Sequence, residues 1–440
     1  MENSFLKQRS LSDLTPTSNI LGEYLGVFSN RIESLDSTFE LGNYKPIFRL
    51  YVLHSDETID YEVPQKDIII DSGNYTENYQ NGQRRNFNIS LVNIDGKYTP
   101  NINKLWIQNR FRLDVGVQGV GEETWSPRGI YIMGNPTLER GSSEKKVTIN
   151  LVDKFALFEG KMGTLETTYE IPAGTEIKKA LETILTIDTG AGYPLDLKPI
   201  LYDHSFDGAV TPYTLSKDAG STLGEMILEL GNMLGAEIFY NSFGNLCVIP
   251  INETILDKDK PITWNLSKNK KNIINTSMSY DFENVVNEVG VVGNNIKGKI
   301  CYATAKNEEP TSPICIQRVG RHVYYISDET ISTDKLAQDR ANYELRKASI
   351  LATKMTITTT FNPFIFVNNI ITIEDSFNKF NREHFIIQSI SYSIGVNNQM
   401  SITCSNITNV SHTYDGEPEF IVSNVINQGE QGSLFLLTRR

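Results

Sequence analysis

The chain has 440 residues, and at roughly 150 residues per domain that length predicts about three domains. Apolar residues make up 39% of it and charged residues 21%, a globular balance that excludes wholesale disorder. Asp and Glu outnumber Lys and Arg 53 to 41, for a net charge of -12, which excludes a general grip on nucleic acid, since that needs a basic surplus.

Residues 1–45 read as an N-terminal arm. Leu21, Tyr24, Leu25, Phe28, Ile32 and Leu35 recur at steps of three and four behind Ser18, a candidate N-cap, and predict an amphipathic helix over about 19–35. From 46 to 160 the texture is strand-like. PIFRLYVL, EVPQKDIIID, NFNISLVNID, FRLDVGVQGV, RGIYIMG and KKVTINLVD are β-prone runs punctuated by Gly, Asn, Asp and Pro, and they predict an antiparallel barrel or sandwich. Residues 161–257 predict a small α+β domain. Ile177, Ala180, Leu181, Ile184 and Leu185 share a helix face; Thr222 and Glu225 form a capping-box pattern before LGEMILELGNML, and Gly235 is the expected stop. AEIFYN and LCVIPI then flank SFGN as a hairpin.

The stretch 258–275 is a polar linker whose Lys268, Lys270 and Lys271 are the densest basic cluster, best explained as a solvated loop. Residues 276–410 return to strand texture around a helix at about 333–352, in which Ala337, Ala341, Leu345, Ala348 and Ala352 form a small-residue face. Residues 411–440 thin out into an extended tail. The fold class expected is thus mainly β with α+β: two similar antiparallel β-barrel domains, a small α+β domain between them, a helical arm and a tail. No run approaches the ~18 apolar residues of a membrane span, and the N-terminus lacks the apolar stretch of a secretory signal. Cys247, Cys301, Cys315 and Cys404 stand far apart and fit reduced, buried thiols.

Catalytic and cofactor motifs are missing. His54, His204, His322, His384 and His412 stand apart, with no metal-ligand spacing, and neither GxSxG nor GxGxxG occurs, so no catalytic residue, metal or cofactor is expected. Gly293-Asn-Asn-Ile-Lys-Gly298-Lys299 nearly matches a phosphate loop. Position 300, however, is Ile where a magnesium-binding hydroxyl belongs, and strand-like CYATAK follows, so a turn between strands is expected. Carboxylates such as Asp203 with Asp207, or Asp114 with Glu122 and Glu123, could make a glycosidase pair only by their presence.

Three stretches carry a resemblance. DGKYTPNINKLWIQNRFRLDVGV (95–117) with RGIYIMGNPTLERGSSEKKVTINLVDKFALFEG (128–160) is similar to the first β-domain of bacteriophage tail hub proteins, in whose "DKFALFEG"-like segment Leu151, Asp153, Lys154, Leu157 and Gly160 would sit. Residues 171–185 and 221–250 look like that family's helical insert and hairpin. Residues 334–375 resemble its second barrel, with Pro363 and Val367 before the strand and Asn368-Asn369 where the family often has Gly-Asp. The resemblance covers roughly 60–410 and rests on the order of these segments.

That resemblance implies a virion protein of a phage or phage-like tail baseplate or tip, assembled in the host cytoplasm. It would form a homotrimeric ring joining a sixfold tail tube to a threefold central spike or tip, with DNA only in transit and no membrane contact. Its partners would be a tail tube or tube-initiator protein, the spike or tip protein and, further out, a tape-measure protein and surrounding baseplate proteins. The interface residues expected are Leu21, Tyr24, Leu25, Phe28 and Ile32 of the arm and Leu434, Phe435, Leu436 and Leu437 of the tail. In such a ring the acidic surplus would line the channel and repel phosphate. The alternatives are a distal-tail adaptor or receptor-binding virion protein and, behind these, a cell-wall-cleaving enzyme.

Overall fold

A computed structural model describes residues 44–421, except 102–104, 120–122, 142–144, 189, 191–192, 251–263, 268–271, 281, 297–298, 311, 313, 329–330, 332, 350–352, 379, 396–398, 407–408 and 413–417. Its architecture is mainly β, with antiparallel ladders dominant and few helices. The predicted helix at 19–35, all five arm residues proposed for an interface, and Leu434–Leu437 lie outside the described residues.

The first β-unit contains β1 (Lys45–Leu53), β2 (Ile59–Glu62), β3 (Gly73–Asn78), β4 (Arg85–Val92), β5 (Arg110–Gln118), β6 (Glu123–Met133), β7 (Thr137–Arg140) and β8 (Lys145–Asp153). Alternation is clean in β8, where Val147, Ile149, Leu151 and Asp153 are buried while the residues between them are not. That period of two places one row inward and the next toward solvent. Gly134-Asn135-Pro136 separates β6 from β7, because proline has no N–H for the ladder.

A short helix, α1 (Ala156–Glu159), leads into a middle segment built around a second hydrophobic cluster. This segment holds β9 (Tyr169–Ile171), α2 (Ile177–Leu185), β10 (Leu201–Tyr202), β11 (Leu215–Lys217), α3 (Leu223–Leu234), β12 (Ala236–Tyr240) and β13 (Leu246–Pro250). On α2 the five residues of the predicted face, Ile177 to Leu185, are all buried. On α3, Leu223, Met226, Ile227 and Leu230 are buried in the same core, each contributing roughly 1.5–3 kcal/mol by leaving water. Thr222 Oγ1 accepts the Glu225 N–H at 3.2 Å, and Gly235 ends the helix at φ 65°. β12 and β13 form the expected hairpin, from Ala236 opposite Pro250 to Tyr240 opposite Leu246.

The second β-unit uses β14 (Trp264–Ser267) and β15 (Ile273–Tyr280). An insert follows: β16 (Glu288–Ile296), β17 (Lys299–Lys306), α4 (Ile316–Val319), β18 (Val323–Ser327) and α5 (Asp334–Ser349). The chain then returns through β19 (Thr353–Thr360), β20 (Ile370–Asp375), β21 (Phe380–Ile394) and β22 (Gln399–Asn406), and ends in a hairpin of β23 (Asn409–His412) and β24 (Pro418–Ile421). Within the predicted extended tail, then, the described residues form a strand pair. The inserted helix is not alone either. It packs Ala337, Ala341 and Leu345 onto Val289, Val291, Ala303 and Ala305 of a separate sheet ordered β17-β16-β18, where small residues permit a close approach. Of the near-match to a phosphate loop, residues 293–296 end β16 and Lys299 starts β17, with Ile296 opposite Lys299.

Both β-units belong to one 14-stranded sheet, ordered β15-β19-β22-β21-β3-β4-β8-β6-β5-β1-β2, with β20 on β21, β14 on β20, and β7 on β8. The same topology occurs twice. In chain order β3, β4, β5, β6 with β7, and β8 correspond to β15, β19, β20, β21 and β22. In space both sets run first, second, fifth, fourth, third. The units differ in the strand added last, since β1 lies antiparallel to β5 whereas β14 lies parallel to β20. No ladder closes either unit on itself among the described residues. Instead β21 pairs with β3, from Ser389 opposite Asn78 to Ile394 opposite Gly73, and one hydrophobic core runs through both halves.

Candidate functional site: a buried seam between the two β-units

At the β21–β3 junction Tyr75 and Tyr392 stack with ring centroids 4.7 Å apart, and Phe361 meets Tyr392 edge-on at 5.0 Å. The Tyr44 hydroxyl donates to the Phe361 carbonyl at 2.8 Å. Behind these rings is a charged layer. Arg128 of β6 is fully buried; its guanidinium donates to the carbonyls of Ile365, at 2.7 Å, and Pro363, lies 4.2 Å over the Phe366 ring, and is 3.8 Å from Glu77. Glu77 also accepts from Arg85 and from the Tyr75 hydroxyl, each at 2.9 Å. One arginine on the first unit thus holds the backbone of the loop that introduces β20 on the second. That loop turns at Asn368, whose φ of 67° is left-handed, a conformation Asn tolerates better than most residues. Asn369 Oδ1 closes it by accepting the Phe366 N–H at 2.9 Å.

The middle segment is tied to the same layer. Arg85 donates to the Tyr240 carbonyl at 2.8 Å, and Arg84 donates to Glu237 at 3.1 Å while lying 3.6 Å over the Phe239 ring. Glu237 also accepts from the Tyr79 hydroxyl. Lys154, just past β8, meets Asp196 at 2.7 Å and Glu57 at 2.5 Å, and donates to the Gly244 carbonyl at 2.9 Å. Beside it, burial pushes the Asp153 carboxyl up to about 6, with the charge of Arg85 and the Phe155 N–H, 3.0 Å away, pulling the other way. Burial likewise raises the Tyr75 and Tyr240 hydroxyls well above their ordinary value. Charges buried this way are costly unless each is hydrogen-bonded, and here the bonds link the two β-units and the segment between them.

Groups with catalytic potential are occupied locally. Asp203 caps the turn at Ser205, Asp207 pairs with His204 at 2.9 Å, Asp114 pairs with Arg112 at 2.6 Å, and Glu123 pairs with Arg49 at 3.2 Å. Glu122, Lys268, Lys270 and Lys271 lie outside the described residues. Among the described residues no group of His, Cys, Asp and Glu could hold a metal ion, and no helix is long and apolar enough to cross a membrane. All four cysteines are free and buried.

Missed in the sequence were Arg84, Arg85, Arg128, Glu77 and Glu237. The signal was faint: Arg85 opens a strand whose next inward residues, Phe87 and Ile89, are apolar, so an arginine sits where a core side chain belongs. A second missed surface is the outer face of the β17-β16-β18 sheet. There Tyr325 is 56% exposed and Tyr302 47% exposed, and the Tyr325 ring lies on Gly290, where any Cβ would come within 2.4 Å of it. On the same sheet Arg321 donates twice to Glu288, at 2.6 and 2.8 Å, and holds that carboxyl below its ordinary value.

A profile for a domain of unknown function, DUF5048, matches residues 311–410, less than half of the chain. A search of curated protein sequences finds no match. Solved structures do match. The tail protein from Neisseria meningitidis MC58 is 12% identical, with 82% of this chain and 96% of that chain covered at a TM-score of 0.54. The 43 kDa tail protein of prophage MuSo2 from Shewanella oneidensis is 14% identical, with 81% and 97% covered and a TM-score of 0.54. A chain of the lidded Francisella PdpA–VgrG complex is 10% identical, with 93% of this chain and 62% of that one covered, at a TM-score of 0.51. At such identities likeness establishes architecture, and the chain has a mainly β fold shared with phage tail proteins.

Proposed function

We propose that the chain is a structural hub subunit of a phage tail or phage-tail-like particle, a trimeric ring that joins a sixfold tube to a threefold spike or tip. The observation that carries this reading is the duplicated strand order within one sheet. Three subunits with two like units each present six similar surfaces to a sixfold partner while keeping threefold symmetry toward the other side. The buried seam suits that role, because it fixes the two units relative to each other before any partner binds. The subunit acts by holding geometry, not by catalysis. Arms 1–45 and 411–440 dock on neighbouring tail proteins, and DNA passes through a channel with an acidic wall. Sedimentation of the purified full chain tests the ring: a trimer is expected, and a chain that stays monomeric at all accessible concentrations opposes it. Potential mapping on the assembled tip tests the channel, and a neutral or basic bore removes the electrostatic part.

One observation favours receptor binding as a second reading. The exposed Tyr302 and Tyr325 pair is the kind of aromatic platform on which a sugar face stacks. Glycan-array binding by the isolated chain that disappears in Tyr325→Ala supports it; no binding leaves those tyrosines to a protein contact.

A further inference from the structure

The intrachain junction has two open counterparts. β3 is flanked by β4 and β21, but β15, its counterpart, pairs only with β19 among the described residues. β21 pairs with β22 along Phe385–Ser391 and with β3 along Ser389–Ile394, but β7, the matching extension of β6, pairs only with β8 among the described residues. Other edges are open too, at β2 and β14, but β7 and β15, one on each unit, are the two members of a junction that the molecule already makes once.

The register follows from the inward rows. In the first unit a row runs Tyr75, Phe87, Leu151, Met133 across β3, β4, β8 and β6. In the second it runs Met278, Met355, Cys404, Ile387 across β15, β19, β22 and β21. Met278 is therefore the counterpart of Tyr75. Leu138 lies as far beyond Met133 as Tyr392 lies beyond Ile387, and stands opposite the buried Val147, so it is the counterpart of Tyr392. Exposure separates the made junction from the open one. Tyr75 and Tyr392 are 0% and 4% exposed, whereas Leu138 is 50% exposed and all of β7 faces solvent.

We propose that β15 of one copy adds antiparallel to β7 of the next, with Leu138 opposite Met278, Glu139 opposite Ser277 and Arg140 opposite Thr276. This pairing rests on the ring reading above and names the surface through which it closes. It repeats the β21–β3 junction between chains, so intrachain and interchain junctions alternate around the ring. The contact is head-to-tail, which closes into a ring where the rotation permits. Each open edge also loses its exposed N–H and C=O row, which otherwise invites non-specific pairing.

The test is a Leu138→Cys and Met278→Cys double variant of the full chain, oxidised and run without reductant. Directly opposed strand residues bring Cβ atoms about 4.5–5.5 Å apart, close to disulfide range, and the native cysteines are buried. Covalent dimers and trimers are expected from the double variant and from neither single variant. Leu138→Asp, a substitution on an exposed strand, should weaken the trimer at least about tenfold, a shift of 1.4 kcal/mol or more, with an unchanged melt of the monomer. A wild type that trimerises while the double variant forms no covalent species, or covalent dimers alone, overturns this pairing and leaves the ring standing. A wild type that never trimerises removes both.

Discussion

Arg128 reaches across more than two hundred positions of sequence to hold two carbonyls that would otherwise be buried without donors. Removing one partner of such a group leaves the rest desolvated, so Arg128→Met should cost about 3–5 kcal/mol in urea unfolding. Arg128→Lys should recover little, because a single ammonium cannot span both carbonyls as the planar fork does. A loss below 1 kcal/mol for Arg128→Met would sink the claim that the seam holds the units together. Asp153 gives a pH dependence of opposite sign to a paired carboxylate. Its folded value near 6 lies above the ordinary 3.8, so its contribution is fully present below pH 3.8 and is lost as pH rises through 6. The Asp153→Asn variant should therefore gain on wild type between pH 4 and 7, by at most about 3 kcal/mol. Guanidinium titrations at the two pH values measure it, and equal differences at both remove the assignment. Glu288, held low by Arg321, acts the other way and loses its contribution on acidification.

Among the elements, α3 was the most legible. Its apolar residues recur at three and four, Thr222 begins it and Gly235 stops it, all signals local in sequence. Thr222→Ala should lower stability by about 1 kcal/mol through loss of the bond to the Glu225 N–H. Urea denaturation reads this directly, and no change would mean that solvent replaces the cap. The insert on β16–β18 was less legible. VGVV and YATA alternate too little in polarity to reveal a second sheet, and α5 alone showed a helical period. Only the packing of Ala337 and Ala341 on Val291 and Ala303 shows that strands and helix form one subsidiary core.

For the whole molecule, one core through both β-units implies joint unfolding. Trp125 lies under Arg49 in the first unit and Trp264 is buried in the second. Variants that keep one of these as the sole tryptophan should show the same denaturant midpoint. Separated midpoints would mean that the β21–β3 junction is weaker than either unit. The net charge of -12, which at first excluded only a nucleic-acid grip, becomes under the hub reading a property of a channel wall.

Local pattern by itself determined that this chain is mainly β and where α2, α3 and α5 fall. Those features are set by residues a few positions apart, and backbone periodicity exposes them. Beyond the β12–β13 hairpin, tertiary structure alone decided which strand neighbours which, that one sheet holds the same topology twice, and that Arg84, Arg85 and Arg128 belong in the interior. A strand's alternation reports its inward face but not its partner, and a charged residue reads as surface until its counter-charge, distant in sequence, is brought beside it.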